Sequence, residues 1–151
     1  AYAWTDGEYK SFTNAPLPLE EVGAPVAFID ISGGRLPGIS KNAVSFGGEY
    51  IQPWNLFGTS GEFFLGLDAY YRSDFSSSPS PSRYLNVDAY TLVNARLGFR
   101  TDGAWSAFIW SRNVTDKDYF EQLLPGAGNA GHYAAVLGDP RTYGATVRYT
   151  F

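Results

Sequence analysis

The chain has 151 residues, of which 17% are aromatic and 17% charged, with 17 glycines and a formal net charge of −4. Glycine stands above its usual share of about 7% and charge below its usual share of roughly 25%, which favours strands and tight turns and excludes a disordered chain. The absence of cysteine excludes a disulfide scaffold, a thiol nucleophile and thiolate-held zinc or iron–sulfur centres. The negative balance argues against nucleic acid, which is held mainly through Lys and Arg on phosphates.

Along the chain, six segments carry the period-two alternation that marks strands. Residues 1–12 come first, carried by Tyr2, Trp4 and Phe12 and weakened by Asp6, Glu8 and Lys10. Residues 43–54 put Val44, Phe46, Tyr50 and Trp54 on one side, with Ser45, Gly47 and Glu49 on the other. In residues 62–72, Phe63, Leu65, Leu67, Ala69 and Tyr71 oppose Glu62, Phe64, Gly66, Asp68, Tyr70 and Arg72. Residues 89–100 set Val93, Ala95, Leu97 and Phe99 against Asn94, Arg96, Gly98 and Arg100. Residues 104–114 are apolar in both phases through Trp105, Phe108, Ile109 and Trp110, so their facing stays open. Residues 141–151 close the series, with Tyr143, Ala145, Val147, Tyr149 and Phe151 facing away from Gly144, Thr146, Arg148 and Thr150. No segment sustains a helical period; residues 115–120 have room for a single helical turn.

Long connections at 13–42, 73–88 and 115–140 alternate with short ones at 55–61 and 101–103, the second holding the turn pair Asp102-Gly103. A meander then collects every long connection at one end, the layout of membrane barrels with short turns on one side and long loops on the other. Aromatic residues (Tyr50, Trp54, Tyr71, Tyr143, Tyr149 and Phe151) stand near strand ends on the apolar face, as in the girdles at the two membrane interfaces. Glu49, Asp68, Arg72, Arg96 and Arg148 share the opposite face, which a wet lumen tolerates and a dry core does not. The reading is all-β: an antiparallel up-and-down meander of about six long strands. Transmembrane barrels need at least about eight strands, so this is an open, incomplete segment of one. Two rivals stay open: a soluble β-sandwich binding module stacking sugars on exposed Tyr and Trp, and a complete eight-stranded barrel using residues 26–32.

The last third carries three recognisable runs. Tyr90-Thr91-Leu92-Val93-Asn94-Ala95-Arg96-Leu97-Gly98 resembles the strand before the final hairpin of TonB-dependent outer-membrane receptors. Arg112-Asn113-Val114-Thr115-Asp116-Lys117-Asp118-Tyr119 is similar to that family's Asn-Leu-Thr/Phe-Asp-x-x-Tyr segment. Gly138-Asp139-Pro140-Arg141-Thr142-Tyr143-Gly144, followed by Phe151, resembles its closing motif, and residues 1–83 resemble the preceding strands more loosely. The resemblance implies a 22-stranded barrel with an N-terminal plug, working in transport and not catalysis. It implies uptake of a scarce nutrient such as a ferric siderophore, cobalamin or glycan across the bacterial outer membrane. Residues 1–151 are then expected to be the C-terminal part of the barrel, without the plug.

In that frame Arg83, Tyr84, Tyr119, His132 and Tyr133 are the candidate substrate contacts in the outer loops. Glu49, Asp68, Arg72, Arg96 and Arg148 are expected to face the lumen, while Tyr143, Val147, Tyr149 and Phe151 form an assembly signal read by strand addition. The expected partners are the TonB complex, through the N-terminal region, the barrel-assembly machinery, outer-membrane lipid and a small nutrient ligand. No cofactor or metal is expected, since His132 is the single histidine and cannot make a site alone. Asp116 and Asp118, flanking Lys117, are read as turn or capping residues and not as a glycosidase pair.

Overall fold

The computed structural model describes residues 1–129 and 131–151; Ala130, inside the third long connection, lies outside the described residues. Six strands form one antiparallel sheet: β1 (Tyr2–Trp4), β2 (Asn42–Leu56), β3 (Thr59–Arg72), β4 (Tyr90–Thr101), β5 (Trp105–Arg112) and β6 (Thr142–Tyr149). Each pairs with its neighbour in sequence and none crosses over. The three long connections therefore share one end, the loop end, and the two tight turns share the other, the turn end. β1 and β6 do not pair with each other. The sheet is open at both edges.

Several boundaries differ from the sequence reading, each for a local reason. β1 stops at Trp4 and not at Phe12. Asp6 binds Lys41 at 3.2 Å, the Tyr9 N–H donates to the Gly34 carbonyl at 2.9 Å, and Glu8 bridges to Arg35. The charged run thus pairs with the returning loop, because it has no apolar face to lend a sheet. β2 and β3 run on through the presumed link at 55–61, leaving only Phe57 and Gly58 between the paired residues Leu56 and Thr59. Residues 115–120 make no helical turn; the chain turns instead at Asn113 and Asp116, with φ of 49° and 53°.

The two rival architectures do not fit. Within residues 26–32 only Phe28–Ile29 is a strand, and it pairs with Ala15–Pro16 in a ribbon outside the main sheet. Among the described residues, the remaining sheets are two-stranded ribbons within the long connections, so no second sheet covers the first. The eight-stranded and sandwich readings are both corrected by that.

Residues opposite one another on antiparallel strands point to the same side. The register carries one continuous row through Tyr50, Leu65, Leu97, Ile109 and Ala145, and the next through Glu49, Gly66, Arg96, Trp110 and Gly144. This also settles the phase of β5: Trp105, Ala107 and Ile109 join the apolar face, and Ser106, Phe108 and Trp110 the polar one. The apolar face is uncovered, with Phe46 72% and Val147 65% exposed. In water each such side chain forgoes about 1.5–3 kcal/mol of burial. The tight apolar cluster lies elsewhere, at the loop end, where Phe75, Val87 and Tyr90 pack with Leu92, Tyr119 and Leu123. The molecule is therefore inside-out relative to a soluble sheet protein.

Candidate functional site: the polar face and the loop cluster

The polar face is organised by a charge network that the register makes reachable. Arg96 and Glu49 lie two strands apart with Gly66 between them. Because Gly66 has no Cβ, the Arg96 side chain lies across it and reaches Glu49 at 3.3 Å. Arg100 donates to the other Glu49 oxygen at 2.7 Å, pairs with Glu62 and lies 4.9 Å over the Phe64 ring. Two arginines and two glutamates thus form one chain of contacts across β2, β3 and β4. Arg148 occupies the same face on β6, in register with Ser106 and beyond it Arg100. Asp68 sits between Gly47 and Asn94.

Arg72 does something different. At the top of β3 its guanidinium donates to Ser40 Oγ at 2.6 Å and to the Gly38 carbonyl at 2.7 Å, and stacks 3.7 Å from the Phe75 ring. It fastens the first and second long connections to the sheet.

Those connections converge on one carboxylate. Glu20, in a single 3-10 turn at Leu19–Glu21, accepts hydrogen bonds from Ser82 Oγ at 2.9 Å, the Arg83 N–H at 3.1 Å and the Tyr133 hydroxyl. All three long connections meet there. Partial burial alone would raise the Glu20 pKa, but the bonds from Tyr133, its own backbone, Ser82 and Arg83 outweigh it and hold the carboxyl below its ordinary value. The bond to Glu20 in turn raises the Tyr133 phenol above its ordinary value. Tyr84 packs on Tyr133 with ring centroids 5.3 Å apart, and the Arg83 guanidinium lies 5.0 Å from the Tyr84 ring.

A second fastening sits after β5. Asn113, 5% exposed, takes φ = 49°, a conformation that Asn tolerates better than most residues. Its Nδ2 donates to the carbonyls of Lys117 at 2.9 Å and Asp139 at 3.2 Å, while Oδ1 accepts from the Lys117 N–H at 2.9 Å. One buried amide so holds both ends of the third long connection. Asp116 closes the same turn and pairs with Arg141 at 3.1 Å, in keeping with its reading as a turn residue.

Of the five candidate substrate contacts, the structure brings together Arg83, Tyr84 and Tyr133. Tyr119 is set apart, packed on Tyr90 at 4.6 Å between centroids, with burial raising its pKa. His132 is exposed, and its ring lies against Gly126. Tyr143, Val147 and Tyr149 share the apolar face of the edge strand β6, and Phe151 lies beyond it, edge-on to Tyr149 at 5.0 Å. The sequence reading missed Glu20, Ser82 and the detailed part played by Asn113. Only Asn113 had a signal, being part of the recognised Asn-x-x-Asp run. Among the described residues no cluster of three or more His, Asp or Glu could hold a metal.

A meander with an uncovered apolar face, a charged opposite face and long loops at one end is the wall segment of a membrane β-barrel. The chain belongs to the TonB-dependent receptor-like β-barrel family, whose model matches residues 1–114. It is also similar to the ferric-pyoverdine M114 receptor PbuA of Pseudomonas sp. (strain M114), 29% identical over 79 residues. That match covers 52% of this chain and 9% of the relative, so the chain spans a small part of that receptor. No solved structure matches the chain.

Proposed function

We propose that this chain is the wall and outer-loop portion of an outer-membrane receptor that takes up a small scarce nutrient with energy from the TonB complex. The observation that carries the reading is the separation of faces along β2, β3, β4 and β6, with the long connections fastened into one cluster at the loop end. The apolar face meets outer-membrane lipid. Glu49, Asp68, Arg72, Arg96 and Arg148 face the lumen, where Glu49 and Arg96 belong to the network that stiffens the wall and Arg72 anchors the loops. Arg83, Tyr84 and Tyr133 offer a cation and two mutually tilted rings to a ligand arriving from outside, and Tyr119, set apart on Tyr90, and the exposed His132 are further candidate contacts. The similarity to a ferric-pyoverdine receptor supports a ferric siderophore as the ligand class.

The unpaired edge of β6, with Tyr143, Val147 and Tyr149 in one row and Phe151 beyond, supports recognition by the barrel-assembly machinery through strand addition. The test is uptake of radioactive iron carried by a pyoverdine, in cells whose sole receptor of this class is the full-length protein. Saturable uptake that requires TonB is expected; uptake equal to that of receptor-less cells contradicts the proposal.

A further inference from the structure

The turn joining β2 and β3 is built against local preference. Phe57 and Gly58 are the two residues between the paired Leu56 and Thr59, and both have positive φ, 50° and 84°. Two-residue hairpin turns of that kind strongly favour Asn or Asp followed by Gly, because bulky residues at positive φ are strained. A phenylalanine stands there instead, 98% exposed, so packing within the chain does not explain it. Its surroundings point the same way. Residues 50–61 contain no Asp, Glu, Lys or Arg, whereas the neighbouring turn at 101–104 carries Asp102 and follows Arg100. On the apolar face just above the Phe57 turn, Trp54, Phe63 and Phe99 form a line of rings, 6.2 and 5.0 Å between successive centroids.

From these we infer that the Phe57 turn is a membrane anchor: its uncharged tip dips into the phospholipid headgroup–acyl boundary at the turn end, with the Phe57 ring as the inserted group. The inference rests on the wall reading above. Lipid is favoured over a protein partner because the tip is uncharged and joins the two strands that carry Trp54 and Phe63 on the lipid-facing surface. A ring held at the tip of a two-residue turn enters that boundary with little backbone freedom left to lose.

The experiment uses the full-length receptor folded into phosphatidylethanolamine–phosphatidylglycerol vesicles, with a bimane fluorophore on Phe57→Cys, Asp102→Cys or Leu65→Cys. Quenching by lipids brominated near the headgroup is compared with quenching by aqueous iodide. At position 57 the lipid-to-iodide ratio should exceed that at position 102 by threefold or more. A ratio equal to that at position 102 overturns the anchor. If the Leu65 position is also quenched by iodide alone, the wall reading fails and the anchor falls with it. Phe57→Asn suits the left-handed backbone and should fold, yet its folding yield into the vesicles should drop at least twofold, with Phe57→Tyr restoring it. An Asn yield equal to that of the unaltered receptor overturns the proposal independently.

Discussion

Single side chains decide how the long connections are held. Asn113→Ala removes three hydrogen bonds at a buried site and places alanine at positive φ. Each lost hydrogen bond is worth about 0.5–1.5 kcal/mol, and the backbone penalty is about 1–2 kcal/mol; since such terms are not additive, the expected loss is roughly 2–4 kcal/mol. The urea midpoint of the full-length receptor in lipid should fall accordingly. Glu20 sets a pH window. Its lowered pKa means the stability it contributes is complete above the ordinary value of 4.5 and is lost as pH falls through the depressed value. Tyr133, raised from 10.0, contributes below that value and loses its contribution as pH climbs through the raised one. Hydrogen-exchange protection in residues 80–85, taken relative to the intrinsic exchange rate at each pH, should therefore be flat from about pH 5 to 9 and fall outside that range. Glu20→Gln should quicken exchange at neutral pH. Slow, unaltered exchange in that variant would remove Glu20 from its fastening role.

At the scale of the strand, the two faces should respond differently to the same kind of change. Leu65→Arg or Leu97→Arg places charge on the apolar face and should cost roughly 2–4 kcal/mol near the bilayer midplane. Arg96→Gln breaks one half-exposed ion pair while Glu49 keeps Arg100, a loss of about 1 kcal/mol or less. Refolding titrations showing equal losses would contradict the face assignment. Alternation made most of this legible in advance: Leu65 to Tyr71 and Val93 to Phe99 keep strict phase, because only one side of each strand meets an apolar medium. β5 was not legible. Phe108 and Trp110 are as apolar as Ile109, and only the register, which sets Trp110 opposite Arg96, Phe108 opposite Gly98 and Ile109 opposite Leu97, reveals their sides. The overcounted length of the first strand had the reverse cause, since Asp6, Glu8 and Lys10 alternate as strand residues do, but Asp6 is held by Lys41 and the backbone at Glu8 and Tyr9 pairs with the loop at residues 33–35.

Over the whole molecule, the number of strands and the placing of long connections at one end followed from the spacing of turns and loops. The loop cluster did not. Glu20 meets Ser82 and Tyr133 across separations of 62 and 113 residues, and aperiodic segments rich in Pro, Gly and Ser hold no local record of such contacts. The fold nevertheless makes the cluster intelligible, because a meander brings every long connection to the same rim, where one carboxylate can reach donors on both of the others. The central claim is that this sheet is a barrel wall with lipid on one side only. Its most direct test is a nitroxide scan of residues 62–71, along β3, in the full-length receptor folded in lipid vesicles. Collision with lipid-soluble oxygen should alternate residue by residue, high at Phe63, Leu65, Leu67 and Ala69 and low at Phe64, Gly66, Asp68 and Tyr70. Equal accessibility along the strand, or the opposite phase, would contradict the account.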